Sequence, residues 1–453
     1  QSRRGLTHFL AITSLVFAAI LTLRTHGAAG GAVEPVRAFG GMFVRDGFGD
    51  LLKLAIHAVT IGVFVYAKPY LKSHSLFQGE FYVLALTGVL GMMVLVSAGN
   101  LVVVYLGLEL LALSSYALVA LDRDSRLASE AAIKYFVLGA LASGLLLYGM
   151  SMIYGATGTL DLAQIHAQVA VSYDRTLLAF CLVFIVVGVA FKFGAAPFHM
   201  WVPDVYQGSP TAVTLFIAGA PKIAAFGMAY RLLEDGLAGL ATDWQPMLTL
   251  LALLSLAIGN LVAIAQTNLK RMLAYSTISH IGFLLLGLIN GTPAGFAAAT
   301  FYAITYAITT VAAFGMIVLL SRSGFEAEEI EDFRGLNQRN GWYAMIMLMV
   351  MASLAGVPVW VGFMAKFQVL KAAVESGHLW LAIAAGVFAV IGAFYYLRVI
   401  KVMYFDDAAT TEPLALPNDM PFRFVLSANG LGLLALGILG GPLMAWCLEA
   451  VTR

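Results

Sequence analysis

Long apolar stretches recur along the whole chain, each close to the length that a helix needs to cross a bilayer. Such a helix needs about 20 mainly apolar residues, and polar or turn-forming residues separate the stretches here. The pattern predicts an all-α polytopic membrane protein. We place thirteen membrane-spanning helices at residues 6–23, 50–70, 81–97, 100–121, 131–153, 176–197, 211–233, 247–266, 272–290, 295–320, 342–376 (broken), 379–404 and 423–449.

Glycine and proline interrupt two of these stretches. The sequence Lys192-Phe-Gly-Ala-Ala-Pro197 ends one helix, with Pro203 and Pro210 following, and Gly356-Val-Pro358 divides residues 342–376. Proline removes a backbone donor and clashes with the preceding turn. Inside a membrane the freed carbonyl groups must face protein or water. The interrupted helices are therefore expected to border a polar route, as in transporters.

The two interrupted helices lie five helices apart, which predicts an internal repeat. Residues 81–233 and 247–404 are interpreted as two five-helix units, each with the break in its fourth helix. An odd helix number makes the second unit inverted relative to the first, a common transporter arrangement. Residues 1–80 are assigned to peripheral N-terminal helices, and residues 405–453 to a loop and a last helix. The repeat rests on hydropathy, because the units share no evident residue identity.

Basic residues in the loops predict the orientation, since cytoplasmic loops carry an excess of Lys and Arg. The more basic face is then cytoplasmic, in a bacterial-type inner (plasma) membrane. Gln1 lies on that face, and one further helix before it would place both termini outside. The basic face carries Arg3, Arg4, Lys68, Lys72, Arg123, Arg126, Lys270, Arg271, Arg322, Arg334, Arg339, Arg398, Lys401 and Arg423; the other carries mainly Arg24, Arg37, Arg45, Arg175 and Arg231.

Composition agrees with a membrane bundle and excludes several functions. The chain is 61% hydrophobic and 11% charged, against about 25% charged in soluble domains. Its net charge is +1 and no basic stripe is present for nucleic acid. Cys181 and Cys447 lie in apolar segments without a partner at metal or redox spacing. With no phosphate-binding glycine loop either, no cofactor or metal is expected in this chain.

Four charged residues lie deep inside predicted helices: Glu109, Lys192, Lys222 and Lys366. Such charges are costly in a bilayer, and they usually face a bundle interior and carry ions or protons. A buried lysine tends to lose its proton, and a nearby carboxylate opposes that loss. Making or breaking a contact between Glu109 and Lys192 could therefore control a proton step. A row of lysines connected by water is a plausible proton wire.

Structural explanations compete with this interpretation. Lys192 could extend its ammonium to a helix end, and a Glu109–Lys192 pair could simply join two helices. Lys134 follows Glu130 by four residues, which suits a helical ion pair as well as a relay. His280 could be a hydrogen-bonded core residue or a proton relay, because the pKa of histidine lies near neutral.

Residues 191–211 resemble the core motif of a known family. Their sequence, Phe191-Lys-Phe-Gly-Ala-Ala-Pro-Phe-His-Met-Trp-Val-Pro-Asp-Val-Tyr-Gln-Gly-Ser-Pro-Thr211, is similar to the antiporter-like membrane subunits of respiratory complex I, the proton-translocating NADH:quinone oxidoreductase. The form from Asp204 to Pro210 resembles the subunit N branch, equivalent to mitochondrial chain 2. The similarity extends over essentially the whole chain. Further matching segments are Gly107-Leu-Glu-Leu110, Ser129-Glu-Ala-Ala-Ile-Lys-Tyr-Phe136, Asn268-Leu-Lys-Arg-Met-Leu-Ala-Tyr-Ser-Thr-Ile-Ser-His280 and Gly356-Val-Pro-Val-Trp-Val-Gly-Phe-Met-Ala-Lys366.

The resemblance implies roles for the charged residues. Glu109 takes the place of the family's helix-five glutamate, and Lys192 that of its broken-helix lysine. Lys222 stands at the central lysine, Lys366 at the lysine nearest the proton exit, and Lys134 at a further lysine of the pattern. The bacterial family member has fourteen helices with both termini outside. The thirteen helices counted here are expected to lack the first.

The resemblance also implies how the chain works within a complex. It would translocate protons, driven by NADH oxidation and quinone reduction in other subunits. FMN, iron–sulfur clusters and quinone would lie in those partners and not in this chain. Expected partners are other membrane-arm subunits, including another antiporter-like subunit and small helical subunits, together with lipids. Val359 and Trp360 differ from the small or polar residues commoner in the family, which leaves the packing of the second break open.

Two alternatives remain at the level of sequence. One is a subunit of a stand-alone cation/proton antiporter with the same fold. The stretch from Asp204 to Pro210 argues against it, as does the lack of a carboxylate-rich site for a metal cation. The other is a structural spacer whose lysines only pair with charges. Lys222, which has no carboxylate in reach along its own helix, argues against a spacer.

Overall fold

The computed structural model describes residues 2–28, 35–171, 175–408, 412, 414 and 416–452, and the predicted position of Gln1 lies outside them. Within these residues, 12 helices are long and apolar enough to cross a membrane, which confirms an all-α polytopic protein. The helices of the first half are α1 (Ser2–Ala28), α2 (Gly47–Ser73), α3 (Gly79–Val96), α4 (Leu101–Val119), α5 (Arg126–Thr157), α6 (Leu162–Val171), α7 (Arg175–Phe193), α8 (Trp201–Gly208), α9 (Thr211–Ala218) and α10 (Ala220–Tyr230).

The thirteenth predicted crossing is the broken one, and it is made of two shorter helices, α15 and α16. The helices of the second half are α11 (Ala241–Ile264), α12 (Leu269–Ile289), α13 (Pro293–Leu320), α14 (Leu336–Arg339), α15 (Gly341–Ala355), α16 (Val361–Glu375), α17 (Leu379–Tyr404), α18 (Met420–Leu439) and α19 (Gly441–Val451). A π-helical turn at Arg231–Gly236, 3-10 turns at Ala238–Leu240 and Ile330–Phe333, and a hairpin of β1 (Val36–Ala38) with β2 (Phe43–Arg45) complete the described elements.

Side-chain caps fix where many of the helices begin. Each capping side chain accepts a hydrogen bond from a backbone N–H of the first turn, which has no partner inside the helix. The starts of α2, α4, α5, α12, α13, α15 and α18 are therefore set by their own sequence. The capping residues are Asp46, Asn100, Ser125, Asn268, Thr292, Asn340 and Asp419.

Two helices that are predicted to be continuous are each divided in the structure. The predicted helix 211–233 is interrupted at Gly219, between α9 and α10, and Pro221 lies in the first turn of α10. The predicted helix 423–449 is divided at Gly440, with Pro442 opening α19. In both cases the proline needs no backbone hydrogen bond at the first turn of the new helix.

The most buried helices lie in the centre of the bundle and carry the polar side chains. The apolar window of the span Thr211–Gly236 is 100% buried, and those of α12 and α13 are each 94% buried. By contrast, the windows of α1 and α18 are 11% and 22% buried. The central helices therefore contact protein on all sides, whereas the outer ones present apolar side chains for lipid.

Ion pairs lie near the helix ends on both faces of the bundle. On the basic face, defined by the larger set of basic loop residues, Lys68 lies 3.6 Å from Asp419. On the opposite face, Arg231 lies 2.7 Å from Asp46 and also donates to the carbonyl oxygen of Val96. Burial opposes ionisation of Asp46, but the adjacent charge of Arg231 holds the pKa of Asp46 below its usual range. These pairings join residues that the helix plan placed on the same face.

Glycines allow two pairs of helices to cross with their backbones in contact. A Cβ atom on Gly107 of α4 would lie 2.8 Å from the Leu95 nitrogen and 2.9 Å from the Gly91 oxygen of α3. A Cβ atom on Gly259 of α11 would likewise lie within 3 Å of the backbone of α12. Small residues at such crossings are typical of membrane helices.

Replacing Gly107 with valine should separate α3 from α4, because no flexible side chain there can move aside. Overpacking of this kind costs about 1–3 kcal/mol, so we expect a lower thermal unfolding temperature of the purified complex. Gly144→Val is the matched control, since a Cβ atom there meets no atom within 4 Å. Equal unfolding temperatures for the two variants would contradict the close crossing.

Candidate functional site

The first broken helix ends in a glycine-capped turn within the bundle. Gly194 has a φ of +77°; its N–H donates to the Phe191 oxygen, and the N–H of Ala195 donates to the Ala190 oxygen. This pair of hydrogen bonds around a left-handed glycine is the Schellman motif, which satisfies some of the carbonyl groups at a helix C-terminus. The carbonyl groups of the last residues still need donors from elsewhere.

Lys222 supplies one of those donors. Its Nζ atom donates to the Phe193 oxygen at 2.8 Å and lies 5.0 Å from the centre of the Trp201 ring. Lys222 stands in the first turn of α10, directly after the interruption at Gly219, and only 2% of its surface is exposed. The lysine of one interrupted helix thus binds the end of another.

The second broken helix repeats this arrangement. Gly356 has a φ of +84°; its N–H donates to the Ser353 oxygen, and the N–H of Val357 donates to the Ala352 oxygen. Lys366 then donates to the oxygens of Leu354 and Ala355 at 2.9 and 3.0 Å.

An aromatic ring accompanies this second lysine as well. The Nζ atom of Lys366 lies 5.1 Å from the centre of the Phe283 ring. Because a helix C-terminus carries a partial negative charge and an aromatic face attracts cations, both sites suit a lysine ammonium.

Glu109 and Lys192 line one small cavity without touching. The cavity has a volume of about 20 Å³ and is also lined by Ser143, which donates a hydrogen bond to Glu109. No ion pair joins Glu109 to Lys192 within 4.0 Å in the described part of the chain. A water needs about 10–15 Å³, so one water could connect the two charges. The predicted contact is therefore at most indirect in this structure.

His280 lies in a cluster of tyrosines at the centre of the second half. Its Nδ1 atom is 2.6 Å from the Tyr302 hydroxyl, and its Nε2 atom is 3.0 Å from the Tyr396 hydroxyl. The same histidine borders a cavity of about 10 Å³ together with Tyr306 and Leu354. The Leu354 oxygen accepts a hydrogen bond from Lys366. His280 and Lys366 therefore both lie close to Leu354.

Lys134 is placed differently from the three buried lysines. Its side chain is 44% exposed and lies 2.9 Å from both Glu130 and Asp204. Asp204 also accepts from Arg271 at 2.9 Å. The helical pair with Glu130 is present, but Lys134 in addition joins α5 to the short helix α8. Lys134 thus lies exposed on the basic face, outside the row of buried lysines.

Several of these arrangements were not expected from the sequence. The carbonyl partners of Lys222 and Lys366 come from segments that are distant from them along the chain or separated by a loop. The tyrosines around His280 gave no signal among the many aromatic residues. Asp204 stood in the motif but was not assigned a role. Among the described residues, no group of three or more His, Cys, Asp and Glu could hold a metal ion, and Cys181 and Cys447 are both buried.

Comparisons with known proteins identify the family of this chain. A family described as NADH:quinone oxidoreductase/Mrp antiporter, TM, matches residues 98–392. NADH-quinone oxidoreductase subunit N of Thioalkalivibrio sulfidiphilus is 54% identical over 454 residues, covering 100% of this chain and 93% of the relative. The protein of the same name from Xanthomonas euvesicatoria is 56% identical over 451 residues, covering 99% of this chain and 91% of the relative.

Solved structures place the chain in the same group. A chain of respiratory complex I from Thermus thermophilus with bound Aureothin matches with a TM-score of 0.83 and 33% identity, covering 99% of this chain and 95% of that one. A chain of the Mrp complex from Dietzia shares the fold, with a TM-score of 0.87 and 22% identity over 100% and 93% of the two chains. The fold is that of an antiporter-like membrane subunit. The chain belongs to the NADH-quinone oxidoreductase subunit N family.

Gly356→Ala tests the coupling between the second break and its lysine. A Cβ atom at this residue would lie 2.9 Å from Cδ of Lys366, and a left-handed alanine costs about 1–2 kcal/mol. We expect lower thermal stability together with reduced proton pumping by the assembled complex.

Gly377→Ala is the matched control for that variant. Gly377 has the same φ of +84°, but a Cβ atom there meets no atom within 4 Å. The Gly377→Ala variant should lose similar thermal stability, through the strained backbone alone, and should pump protons normally. If both variants pump equally, displacement of Lys366 is not what matters.

Proposed function

We propose that this chain moves protons through the membrane arm of NADH:quinone oxidoreductase along Glu109, Lys192, Lys222 and Lys366. The observation that supports this most is the repeated arrangement of a broken helix, a glycine cap and a buried lysine on the freed carbonyl groups. Such a site holds a lysine by backbone dipoles instead of a carboxylate. A lysine held in this way can release its proton without leaving a buried carboxylate unpaired.

The first transfer runs between Glu109, Lys192 and Lys222. Lys192 precedes Phe193, whose oxygen holds Lys222, so both lysines lie at the same helix end. A change in the position of Glu109 relative to Lys192 would change the charge that Lys192 experiences. Lys192 would then exchange its proton with Lys222 through water at the break.

The second transfer carries the proton from Lys222 to Lys366 and outward. His280 is the candidate relay, because it lies in the second half beside the cavity that reaches the Leu354 carbonyl held by Lys366. Its two ring nitrogens both have hydroxyl partners, so it could accept a proton on one side and release one on the other. Lys134 would serve on the basic face, where its partners are Glu130 and Asp204.

We further propose that the basic face is cytoplasmic, in a bacterial inner (plasma) membrane. The loop-charge bias supports this orientation, and the relatives compared above are bacterial proteins. In the same scheme, residues 81–233 and 247–404 act as two inverted units. Two similarities support the repeat: the fourth helix of each unit is broken, and the first two helices of each cross at glycine.

The redox groups would belong to other subunits. The relatives are named as subunits of NADH-quinone oxidoreductase, an enzyme whose oxidation of NADH requires carriers such as FMN and iron–sulfur clusters, with quinone as acceptor. The partners would be other membrane-arm subunits, among them a second antiporter-like subunit and small helical subunits. Apolar side chains on the outer helices suit contacts with those subunits and with lipid.

The names of the relatives favour this function over a stand-alone antiporter. The Mrp complex shares only the fold at 22% identity, whereas the oxidoreductase relatives are above 50% identical over nearly the whole chain. A structural spacer is also less well supported. A spacer would have no need for three buried lysines that lack a carboxylate within ion-pair distance among the described residues.

Lys222→Ala should strongly reduce proton pumping in assembled complexes. The substitution also leaves the Phe193 oxygen without a donor, a loss of about 1–3 kcal/mol, so assembly has to be measured alongside pumping. Lys371→Ala is the control, because Lys371 is an exposed lysine whose partner is Glu375 at 3.8 Å.

Lys222→Arg separates the structural role of this residue from proton transfer. Arginine keeps a charged donor near the helix end but does not release its proton in proteins. We expect the complex with this variant to assemble normally and, after reconstitution into proteoliposomes, to pump protons poorly. Normal pumping by Lys222→Arg would contradict a proton-carrying role of Lys222.

Glu109→Gln should slow NADH:quinone turnover and change its dependence on pH. Glutamine keeps the size of the side chain and can accept from Ser143, but it removes the negative charge from the cavity shared with Lys192. Turnover is measured across a pH series in membranes, with Glu375→Gln as a control for an exposed carboxylate. An unchanged pH profile would rule out control of Lys192 by Glu109.

A further inference from the structure

A second group of ionisable side chains lies on the basic face, apart from the proposed proton route. Its centre is Glu326, in the loop between α13 and α14. The Tyr70 hydroxyl donates to the two carboxylate oxygens at 3.2 and 3.0 Å, and the Thr211 hydroxyl donates to one of them. Lys270 approaches to 3.9 Å, and the His74 Nε2 atom to 3.4 Å. One carboxylate thus connects the end of α2 with the starts of α9 and α12.

His74 forms the outer side of this group. Its ring stacks on Tyr70 with centroids 4.0 Å apart, and its Nδ1 atom lies 3.0 Å from the Tyr70 carbonyl oxygen. The side chains of His74 and Glu326 are 17% and 24% exposed, whereas that of Lys270 is only 3% exposed. The side chains of His74 and Glu326 therefore lie nearer the surface, and that of Lys270 lies deeper in the bundle.

The charges around the pair favour its ionised form. Burial opposes ionisation of Glu326, but the hydrogen bond from His74 and the charge of Lys270 hold the pKa of Glu326 below its usual value. Burial likewise opposes protonation of His74, but contact with Glu326 and the Tyr70 carbonyl raise the pKa of His74, with a smaller effect of Asp122. His74 therefore remains protonated to a higher pH than a free histidine.

Polar groups continue inward from Lys270. Lys270 donates to the Ser209 carbonyl oxygen at 2.8 Å, and the Ser209 hydroxyl lies 2.9 Å from that of Thr214. Thr214 in turn donates to the carbonyl oxygen of Tyr206 at 3.2 Å.

The hydroxyl at the end of the Tyr206 side chain is a separate polar group. It is buried beside Thr277 and has no well-formed hydrogen bond. Because buried hydroxyl groups normally have a partner, this one marks a position that suits a water. Thr277 accepts from the Tyr306 hydroxyl at 2.8 Å, and the Tyr306 ring lies 4.7 Å from that of His280.

We infer that His74 and Glu326 form a proton-uptake site on the basic face, which supplies the second half of the bundle through Lys270 and the Tyr206 hydroxyl. This inference rests on the proposed function, because it adds a source of protons to that route. Glu326 and His74 would then act as an acid and a base, in addition to the contacts by which Glu326 holds three helices together.

The transfer steps conserve protons and charge. The Lys270 ammonium first releases a proton inward to a water and becomes an amine. The His74 imidazolium gives its Nε2 proton to the Glu326 carboxylate, and the resulting carboxylic acid protonates the Lys270 amine. The neutral imidazole then takes a proton from water on the basic face. One proton has moved inward, and all three groups have returned to their starting forms.

Glu326→Gln, Glu326→Asp and His74→Asn in the whole complex test the inference. In inside-out membrane vesicles the basic face, if cytoplasmic, meets the external buffer, so NADH-driven pumping can be measured as a function of external pH. We expect Glu326→Gln to lower pumping several-fold and to move the alkaline limb of the profile to lower pH. Glu326→Asp should restore the profile, and His74→Asn should reproduce the shift in part.

Glu331→Gln is the control, since this exposed carboxylate pairs only with Arg334 in the described residues. A purely structural role of Glu326 would lower the amount of assembled complex but leave the pH profile of the assembled fraction unchanged. That result, or normal pumping by Glu326→Gln, would overturn the inference. Lys366→Ala in the same vesicles separates the two proposals. Normal proton pumping by Lys366→Ala would contradict the proposed function. Reduced pumping by Lys366→Ala together with normal pumping by Glu326→Gln would contradict only the uptake site.

Discussion

A helix that ends inside a membrane leaves carbonyl groups that need hydrogen-bond donors, and α7 and α15 are helices of this kind. Each unsatisfied group would cost several kcal/mol in a hydrocarbon environment. At the ends of α7 and α15, glycine caps satisfy part of the requirement and Lys222 and Lys366 satisfy more of it. The position of both lysines therefore follows from the breaks themselves. Without the breaks, neither lysine would have a polar partner so deep in the bundle.

Lysine suits this position better than other donors. A neutral lysine amine keeps N–H groups, so it can continue to donate to a carbonyl oxygen after it has released its proton. Arginine would remain charged, and a serine or asparagine could donate but would carry no charge in either state. The requirement of the backbone and that of the proposed proton transfer are thus met by one side chain. The aromatic rings of Trp201 and Phe283 favour the charged form without adding a fixed negative charge.

The sequence was sufficient to predict the helices and the two main breaks, because apolar length and proline act locally. It also identified the four buried charges, since a charge within an apolar helix stands out without any structure. The partners could not be predicted in the same way. The Phe193 carbonyl is 29 residues from Lys222 in the chain, and a backbone oxygen carries no sequence signal.

Other features depended on packing that periodicity does not encode. The interruption at Gly219 was missed because the stretch 211–233 has the length of one apolar helix, although Gly219 and Pro221 mark the break in the sequence. The distance between Glu109 and Lys192 depends on how closely α4, α5 and α7 pack. Lys134 was ambiguous in the sequence because its second partner, Asp204, lies 70 residues away.

The dimensions of the cavities constrain how protons could pass. The cavity between Glu109 and Lys192 is large enough for about one water, whereas that beside His280, at about 10 Å³, is at the lower limit. A continuous wire of water therefore needs the breaks to widen. Because Lys222 and Lys366 are bound to the same carbonyl groups that line the breaks, widening would replace a lysine contact with water. Hydration of a break and movement of its lysine are then one event, and under the proposed function a neighbouring subunit would control proton transfer by widening the break.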